Sequence, residues 1–356
     1  MKKLRAGVIG LRMGMAHFKA MLALEEFDVV AVCDIDTERT ADIQNANPSI
    51  KGFSDFDLML SEMQLDVVAI ATPNKLHASM VIKAANAGVK GIYCEKPIAL
   101  SLGETHEMIA ACEKSGSKLI IGHQRRMSAP YITMRRLIDE GAIGEVYLVR
   151  GNCAGDILSD GTHTVDSVNY LLGNPKPLYI TSQIVRQFVE NPNHPNPTPG
   201  FRFGHPVESG GMSVIYFEGN IRFEMFTGDL FVISWDRKVP GNAYQDIEVF
   251  GTKGRLWRNG DNPTPALAIW DETGGWKAVE LDPQPEGDIF KHVFKEFYLH
   301  ITEGKPHPLS IVNAINDQEI IMGAYESARL QKRLDFPINQ MEFPLQVMIE
   351  KSESSD

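Results

Sequence analysis

Lys96 is the side chain best placed by its sequence context to move a proton. It follows the apolar run Gly91-Ile92-Tyr93-Cys94 and Glu95, and it precedes Pro97. Such a run reads as a buried strand, and a proline cannot continue the ladder, so the lysine is delivered at the strand's carboxyl end, where α/β sheets bind ligands. The plainer reading is a solvated Glu-Lys pair closing a strand. A second group lies in Ser159-Asp160-Gly161-Thr162-His163-Thr164-Val165-Asp166, where Asp160, His163 and Asp166 fall within two turns of a helix entry. An imidazole ordinarily titrates near neutrality and suits general acid–base work. Its alternative is a capped helix whose His pairs with a neighbouring Asp for stability. No metal site is expected, because Asp160 and His163 have no cysteine or second histidine at ligand spacing.

The elements before Lys96 alternate strand and helix. Ala6 to Gly10 is an apolar run closing in glycine, and a helical pattern begins just after Gly14. A second apolar run, Val29 to Cys33, ends in Asp34. A glycine-opened helix N-terminus offers N–H groups to a pyrophosphate, and an acidic residue ending the second strand accepts from ribose hydroxyls, so the pair suggests a dinucleotide site. Asp34 favours NAD over NADP, since a carboxylate repels a 2'-phosphate. The turn reads Gly10-Leu11-Arg12-Met13-Gly14, shorter than Gly-x-Gly-x-x-Gly and with Arg12 where a middle glycine would admit the phosphates. That arginine either compensates through its charge or obstructs. A third strand, Val67 to Ala71, leads into Thr72-Pro73-Asn74-Lys75-Leu76-His77. Thr72, Asn74 and His77 are expected along the cofactor's path, with Asn74 alternatively an N-cap. Gly10, Arg12, Met13, Gly14, Asp34, Glu95 and Lys96 complete the expected cofactor-binding set. A helix over about 101–114 and a strand over 118–122 extend the alternation, which predicts a parallel, doubly wound α/β sheet.

Beyond Gly122 the pattern changes. A helix is expected over about 131–140, then strands over 146–152, 179–188, 212–217, 221–226 and 247–250, linked by turns such as Glu218-Gly219-Asn220. Turn-linked strands favour an antiparallel sheet, hence an α+β second domain with a last helix over about 313–332. The segment 191–200 carries four prolines and reads as a surface loop. The expected domains are 1–122, 123–345 and a polar tail over 346–356.

With 356 residues, 43% hydrophobic and 23% charged, the chain is long enough for two globular domains. A net charge of -11 argues against a non-specific nucleic-acid surface, which needs clustered Lys and Arg. No apolar run of about 18 residues is present, so no membrane span is expected. No signal-like segment opens the chain, and the cytoplasm is the expected location. Cys33, Cys94, Cys112 and Cys153 show no paired spacing and are expected to be reduced and buried.

Taken in order, the turn at 10–14, Asp34, Thr72-Pro73-Asn74 to His77, Glu95-Lys96-Pro97, the Gly141 to Val146 turn, the His163 to Asp166 entry and Ile247-Glu248-Val249-Phe250-Gly251-Thr252-Lys253-Gly254 resemble the glucose-fructose oxidoreductase / inositol dehydrogenase (Gfo/Idh/MocA) superfamily. The resemblance covers about residues 4–340. It implies a Rossmann domain followed by a large open-faced sheet, and NAD as cofactor. It also implies hydride transfer between nicotinamide and a secondary alcohol or ketone of a sugar, cyclitol or related polyol. In such proteins the lysine matching Lys96 hydrogen-bonds the reacting oxygen, and the histidine matching His163 assists it. Many members carry Asp where this chain has Ser159. Either Asp160 reaches the site with altered geometry, or the relay runs through Lys96 and His163 alone. The resemblance also includes enzymes that retain NAD and use transient oxidation for glycoside elimination or epimerisation, and non-catalytic dinucleotide-sensing regulators. A homodimer or homotetramer through the second-domain sheet is expected. Arg126, His194, His205, Trp235 and Arg237 are further candidates for substrate contact, the plainer reading of each being a structural or surface residue.

Overall fold

The computed structural model describes residues 2–188, 200–228, 245–258 and 266–353. They form two compact units, one of residues 1–99, 103–127 and 284–314, the other of 100–102, 128–283 and 315–356.

In the first unit six parallel strands, β1 (Leu4–Ile9), β2 (Phe27–Cys33), β3 (Lys51–Phe53), β4 (Val67–Ile70), β5 (Gly91–Cys94) and β6 (Lys118–Ile121), lie in the order β3-β2-β1-β4-β5-β6. Helices α1 (Gly14–Leu22), α2 (Thr37–Ala46), α3 (Phe56–Met63), α4 (His77–Asn86) and α5 (Leu102–Ser115) connect them. Strands β4 and β5 are buried at every residue, as the middle of a sheet covered on both faces requires. The strand order reverses between β1 and β4, so a crevice opens beyond their carboxyl ends. Side chains punctuate the helices: Asp36 caps α2 through Glu38 N–H, and Asp55 caps α3 through Leu58 N–H. Gly10 has φ +85°, and a Cβ there would overlap the carbonyl oxygen of Ala71, so this turn requires glycine.

The second unit holds helix α6 (Ala129–Asp139), strand β7 (Val146–Cys153), helix α7 (Thr162–Leu172) and strand β8 (Pro177–Val185). A two-stranded pair, β9 (Phe201–Arg202) and β10 (His205–Pro206), precedes β11 (Gly210–Phe217), β12 (Ile221–Gly228), β13 (Gln245–Gly251), β14 (Arg255–Arg258), β15 (Leu267–Trp270) and β16 (Trp276–Ala278). Among the described residues the large sheet has nine strands, counting β17 (Leu334–Asp335), in the order β16-β15-β14-β13-β7-β12-β11-β8-β17. All its pairings are antiparallel except β7 with β12. One face alternates fully buried Val149, Ile215, Phe223, Ile247 and Leu256 under a core that includes Ile320, Met322 and Tyr325 of helix α9 (Ile311–Leu330).

The domain boundaries differ from the expected ones. Helix α8 (Ile289–Glu303) returns to the first unit, where Phe294 and Phe297 are fully buried. Its apolar stripe at three- and four-residue spacing marks a face to be covered without saying by what. The expected polar tail is mostly helix α10 (Pro344–Glu353), with Leu345 fully buried and Met348 and Ile349 packed on the core of the second unit. Its apolar positions are too few for the composition to betray a helix. The strand expected over 179–188 stops at Val185. Most of the proline-bearing segment 191–200 lies outside the described residues, as do His194, Trp235 and Arg237. No helix among the described residues is long and apolar enough to cross a membrane.

Candidate active site

In the first unit a cavity of about 430 Å³ opens beyond the carboxyl ends of β1, β2 and β4. Gly10, Arg12, Asp34 and Thr72 line it, together with Asp36, Arg39, Leu76 and Met80, which sequence reasoning passed over. The acidic and basic pair after β2, Asp36 and Arg39, was the available signal, since the adenosine end of a dinucleotide meets that stretch. Asp34 Oδ2 accepts from Leu11 N–H at 2.6 Å and Oδ1 from Asp36 N–H at 2.9 Å. Its carboxylate is thus held by the backbone of the glycine turn and of its own loop. A carboxylate offers about four acceptor positions. Acceptor capacity therefore remains for hydroxyl groups.

The other expected cofactor residues are placed differently. Met13 is 56% exposed, and Gly14 starts α1, which has no acidic residue in its first turn. That helix end therefore keeps its full attraction for an anion. Asn74 opens a single 3-10 turn, and α4 begins at His77 with no side-chain cap, so Asn74 is not the cap of that helix. His77, expected along the cofactor's path, is instead fully buried. Its Nδ1 lies 2.7 Å from the carbonyl oxygen of Pro97 and its Nε2 2.9 Å from that of Thr72. Burial pushes the His77 pKa down, against the pull of the two carbonyls. The ring joins the loop after β4 to the residue following Lys96.

Glu95 also turns inward. Its Oε1 accepts from Tyr93 Oη–H at 3.0 Å and lies 2.9 Å from His17 Nε2, while Oε2 accepts from Lys96 N–H at 3.1 Å. Burial alone would raise its pKa, yet the hydrogen bond and charge of His17, and then Lys96, outweigh it and hold Glu95 at about 2. Lys96 follows directly, partly exposed at the carboxyl edge of β5, the same edge of the parallel sheet at which the cavity opens. His123, just beyond β6, was not singled out in the sequence; burial, with Arg126 and Lys96, lowers its pKa to about 3. Arg126, one of the substrate-contact candidates, is itself buried.

In the second unit the polar stretch before α7 forms a π-helical turn, Ile157–Gly161. Asp156 caps it, accepting from Ser159 N–H at 2.7 Å. Asp160, His163 and Asp166 are all buried. Asp160 is ion-paired with Arg202 of β9, whose Nη1 also lies 3.4 Å from Asp156 Oδ2. Gly155, at φ +82°, has no room for a Cβ against Asp160. His205, another substrate-contact candidate, is buried. Its Nδ1–H donates to Pro206 O at 2.8 Å, which leaves Nε2 to accept from Ser159 Oγ–H at 3.1 Å in the neutral ring. Glu208 accepts from Ile157 N–H at 2.5 Å and from Tyr325 Oη–H at 2.8 Å, and Tyr325 Oη accepts from Leu158 N–H at 3.1 Å. Burial, then the charge of Asp156, pushes the Glu208 pKa up to about 8. Arg202, His205 and Glu208 lie some forty or more residues from the turn they hold, too far for spacing to reveal them.

A family model described as an oxidoreductase family with an NAD-binding Rossmann fold matches residues 4–123. The chain is 24% identical over 324 residues to a myo-inositol 2-dehydrogenase of Thermotoga maritima, covering 86% of this chain and 91% of that protein. It is 33% identical over 175 residues to a D-apiose dehydrogenase of Paraburkholderia graminis, covering 44% of this chain and 46% of the relative. The fold matches that of an aldose-aldose oxidoreductase from Caulobacter crescentus with a TM-score of 0.77 at 20% identity, covering 94% of this chain and all of the other. NAD suits the residues present. The Gly10 turn, the Arg12 guanidinium and the uncompensated start of α1 suit a pyrophosphate, and the anchored Asp34 carboxylate suits ribose hydroxyls. Residues 4–123 thus carry the NAD-binding Rossmann domain of the Gfo/Idh/MocA oxidoreductase family, and the relatives of the longer chain are named dehydrogenases and oxidoreductases.

Proposed function

We propose that the protein is a dehydrogenase acting on a secondary alcohol, or the corresponding ketone, of a sugar, cyclitol or related polyol. The observation that carries this reading is the placement of Lys96 at the carboxyl edge of β5, with its N–H held by Glu95 and the carbonyl of the following Pro97 held by buried His77. The names of the relatives, an inositol dehydrogenase and an apiose dehydrogenase, support the substrate class. NAD, when bound, accepts or returns the hydride. The protein's part is to hold the polyol and to manage the proton. In the oxidative direction the Lys96 amine takes the hydroxyl proton, with His163 assisting. In reduction the same groups return it and stabilise the oxygen's developing charge. Asp160, committed to Arg202, is assigned to holding the turn before His163 rather than to proton transfer.

The test is turnover followed at the absorbance of reduced nicotinamide over a panel of sugars and cyclitols. Lys96→Ala should lower kcat by about 10²- to 10⁴-fold, the usual range for a positioned acid–base group. NAD affinity should barely change, and full activity in the variant ends the assignment. Turnover without accumulation of reduced cofactor would identify an NAD-retaining eliminase or epimerase instead. NAD binding with no turnover on any substrate would identify a dinucleotide-sensing regulator.

The outer face of the nine-stranded sheet carries half-buried Tyr216, Phe226, Trp257 and Trp270 and the exposed Trp276, interleaved with Arg150, Glu224 and Arg255. Aromatic residues and arginine are enriched at protein interfaces. The proposed assembly is a homodimer or homotetramer through this face, and a monomer by light scattering refutes it.

A further inference from the structure

Behind Lys96 lies a buried polar strut that begins in the helix of the dinucleotide turn. His17 stands on α1, three positions after Gly14, and is fully buried. Its ring centroid lies 4.5 Å from that of Tyr93, 5.0 Å from Phe290 and 5.8 Å from Phe294. Within this aromatic enclosure Nε2 meets Glu95 Oε1 at 2.9 Å, while Nδ1 is buried with no hydrogen-bond partner among the described residues. The other Glu95 oxygen accepts from Lys96 N–H. We propose that His17, acting through Glu95, is a positioning residue for Lys96, and that the pair transmits the state of the dinucleotide turn to that lysine; this rests on the assignment of Lys96 above.

The physical argument turns on what the fold alone would require. A buried polar pair inside an aromatic cluster loses solvation on both partners, and replacing such a pair by apolar side chains of similar volume is often neutral or stabilising. Core packing therefore does not call for His17 and Glu95. It calls still less for a ring that leaves one nitrogen unmatched. What the pair does supply is direction. A carboxylate fixed by Tyr93 and His17 holds the N–H of Lys96, while His77 holds the carbonyl of Pro97, so the backbone on both sides of the lysine is anchored. The two ends of the strut sit on α1, whose first residue closes the Gly10–Gly14 turn, and on the carboxyl end of β5. A shift of that turn when the dinucleotide binds is carried along α1 to His17, through the carboxylate, to Lys96.

The experiment compares His17→Leu with His17→Gln, whose amide keeps a donor near the position of Nε2. His17→Leu should lower kcat by roughly 10- to 100-fold, since a displacement of about 1 Å at a reacting group costs on that order. KM for the polyol should change by less than about threefold, because uniform binding is untouched. His17→Gln should recover most of the loss. In the apoprotein, competitive acetylation of the Lys96 amine, read by mass spectrometry, should change in rate in the Leu variant and return towards wild type in the Gln variant. In a Lys96→Ala background, His17→Leu should cost less than about twofold in the residual rate, the non-additivity expected of groups that act through one another. Unchanged kcat and unchanged labelling in a folded Leu variant overturn the proposal. So does an equal loss in both variants, or a full additional loss in the Lys96→Ala background. If His17→Leu does not fold, Tyr93→Phe removes one donor from Glu95 while keeping the ring, and unchanged kcat and labelling there overturn it equally. Should Lys96→Ala itself remain fully active, the dehydrogenase reading falls, and the labelling of Lys96 still decides whether the strut positions it.

Discussion

Glu208 makes the stability of the second unit depend on pH in a direction opposite to that of an ordinary carboxylate. It is 3% exposed, and burial together with the charge of Asp156 raises its pKa from 4.5 to about 8. Because the unfolded chain loses this proton near 4.5 and the folded chain keeps it, the unfolded state binds fewer protons across that interval, so stability falls as pH rises. The contribution is fully present below 4.5 and is lost by about pH 8. Each pH unit in the interval is worth about 1.4 kcal/mol, so the ceiling is roughly 5 kcal/mol. Relaxation around a buried charge reduces this, and a value of about 2–4 kcal/mol is the working expectation. The perturbation is Glu208→Gln, which keeps an oxygen for Ile157 N–H and polar contact with Tyr325 while removing the titration. Urea midpoints for both proteins between pH 5 and 9 measure it. The variant should be no more stable than wild type at pH 5 and should gain on it by about 2–4 kcal/mol by pH 8.5. Parallel stability curves would show that Glu208 is already ionised in the folded protein, and the account of the turn's electrostatics would then be wrong.

Arg202→Met leaves Asp160 and Asp156 buried without their shared cation and should cost about 3–5 kcal/mol in urea unfolding. Adding Asp160→Asn should restore part of that cost, and additive losses would argue against the pairing. Asp34→Ala removes the acceptor for Leu11 N–H and the expected ribose contact together. NAD affinity by calorimetry should fall by about tenfold or more, and the preference over NADP should narrow, on the strength of about 1.5–3 kcal/mol for a hydrogen bond to a charged group. Undiminished preference would move cofactor selection elsewhere, with Arg39 next to be tested.

Much of the first unit is readable from local pattern. Continuous apolar runs closing in Gly10, Asp34 and Glu95 read as central parallel strands, and the observed strand order places Gly10, Asp34 and Thr72 on one cavity. The antiparallel strands around β11 to β13 are likewise announced by branched and aromatic residues between turns. The order of motifs also carries a family resemblance before any fold is seen. What local pattern does not contain is the partner of each buried polar group. Amphipathic spacing says that α8 has a face to hide, and only packing assigned it to the Rossmann unit. Residue types made His77, Glu95 and Asp160 equally good ligand contacts or anchors. Tertiary structure supplied the partners that hold them, because Pro97 O and Thr72 O, His17, and Arg202 arrive from segments far along the chain. A buried polar atom must find a partner to offset its lost hydration, and which partner reaches it is settled by the fold as a whole rather than by neighbours in sequence.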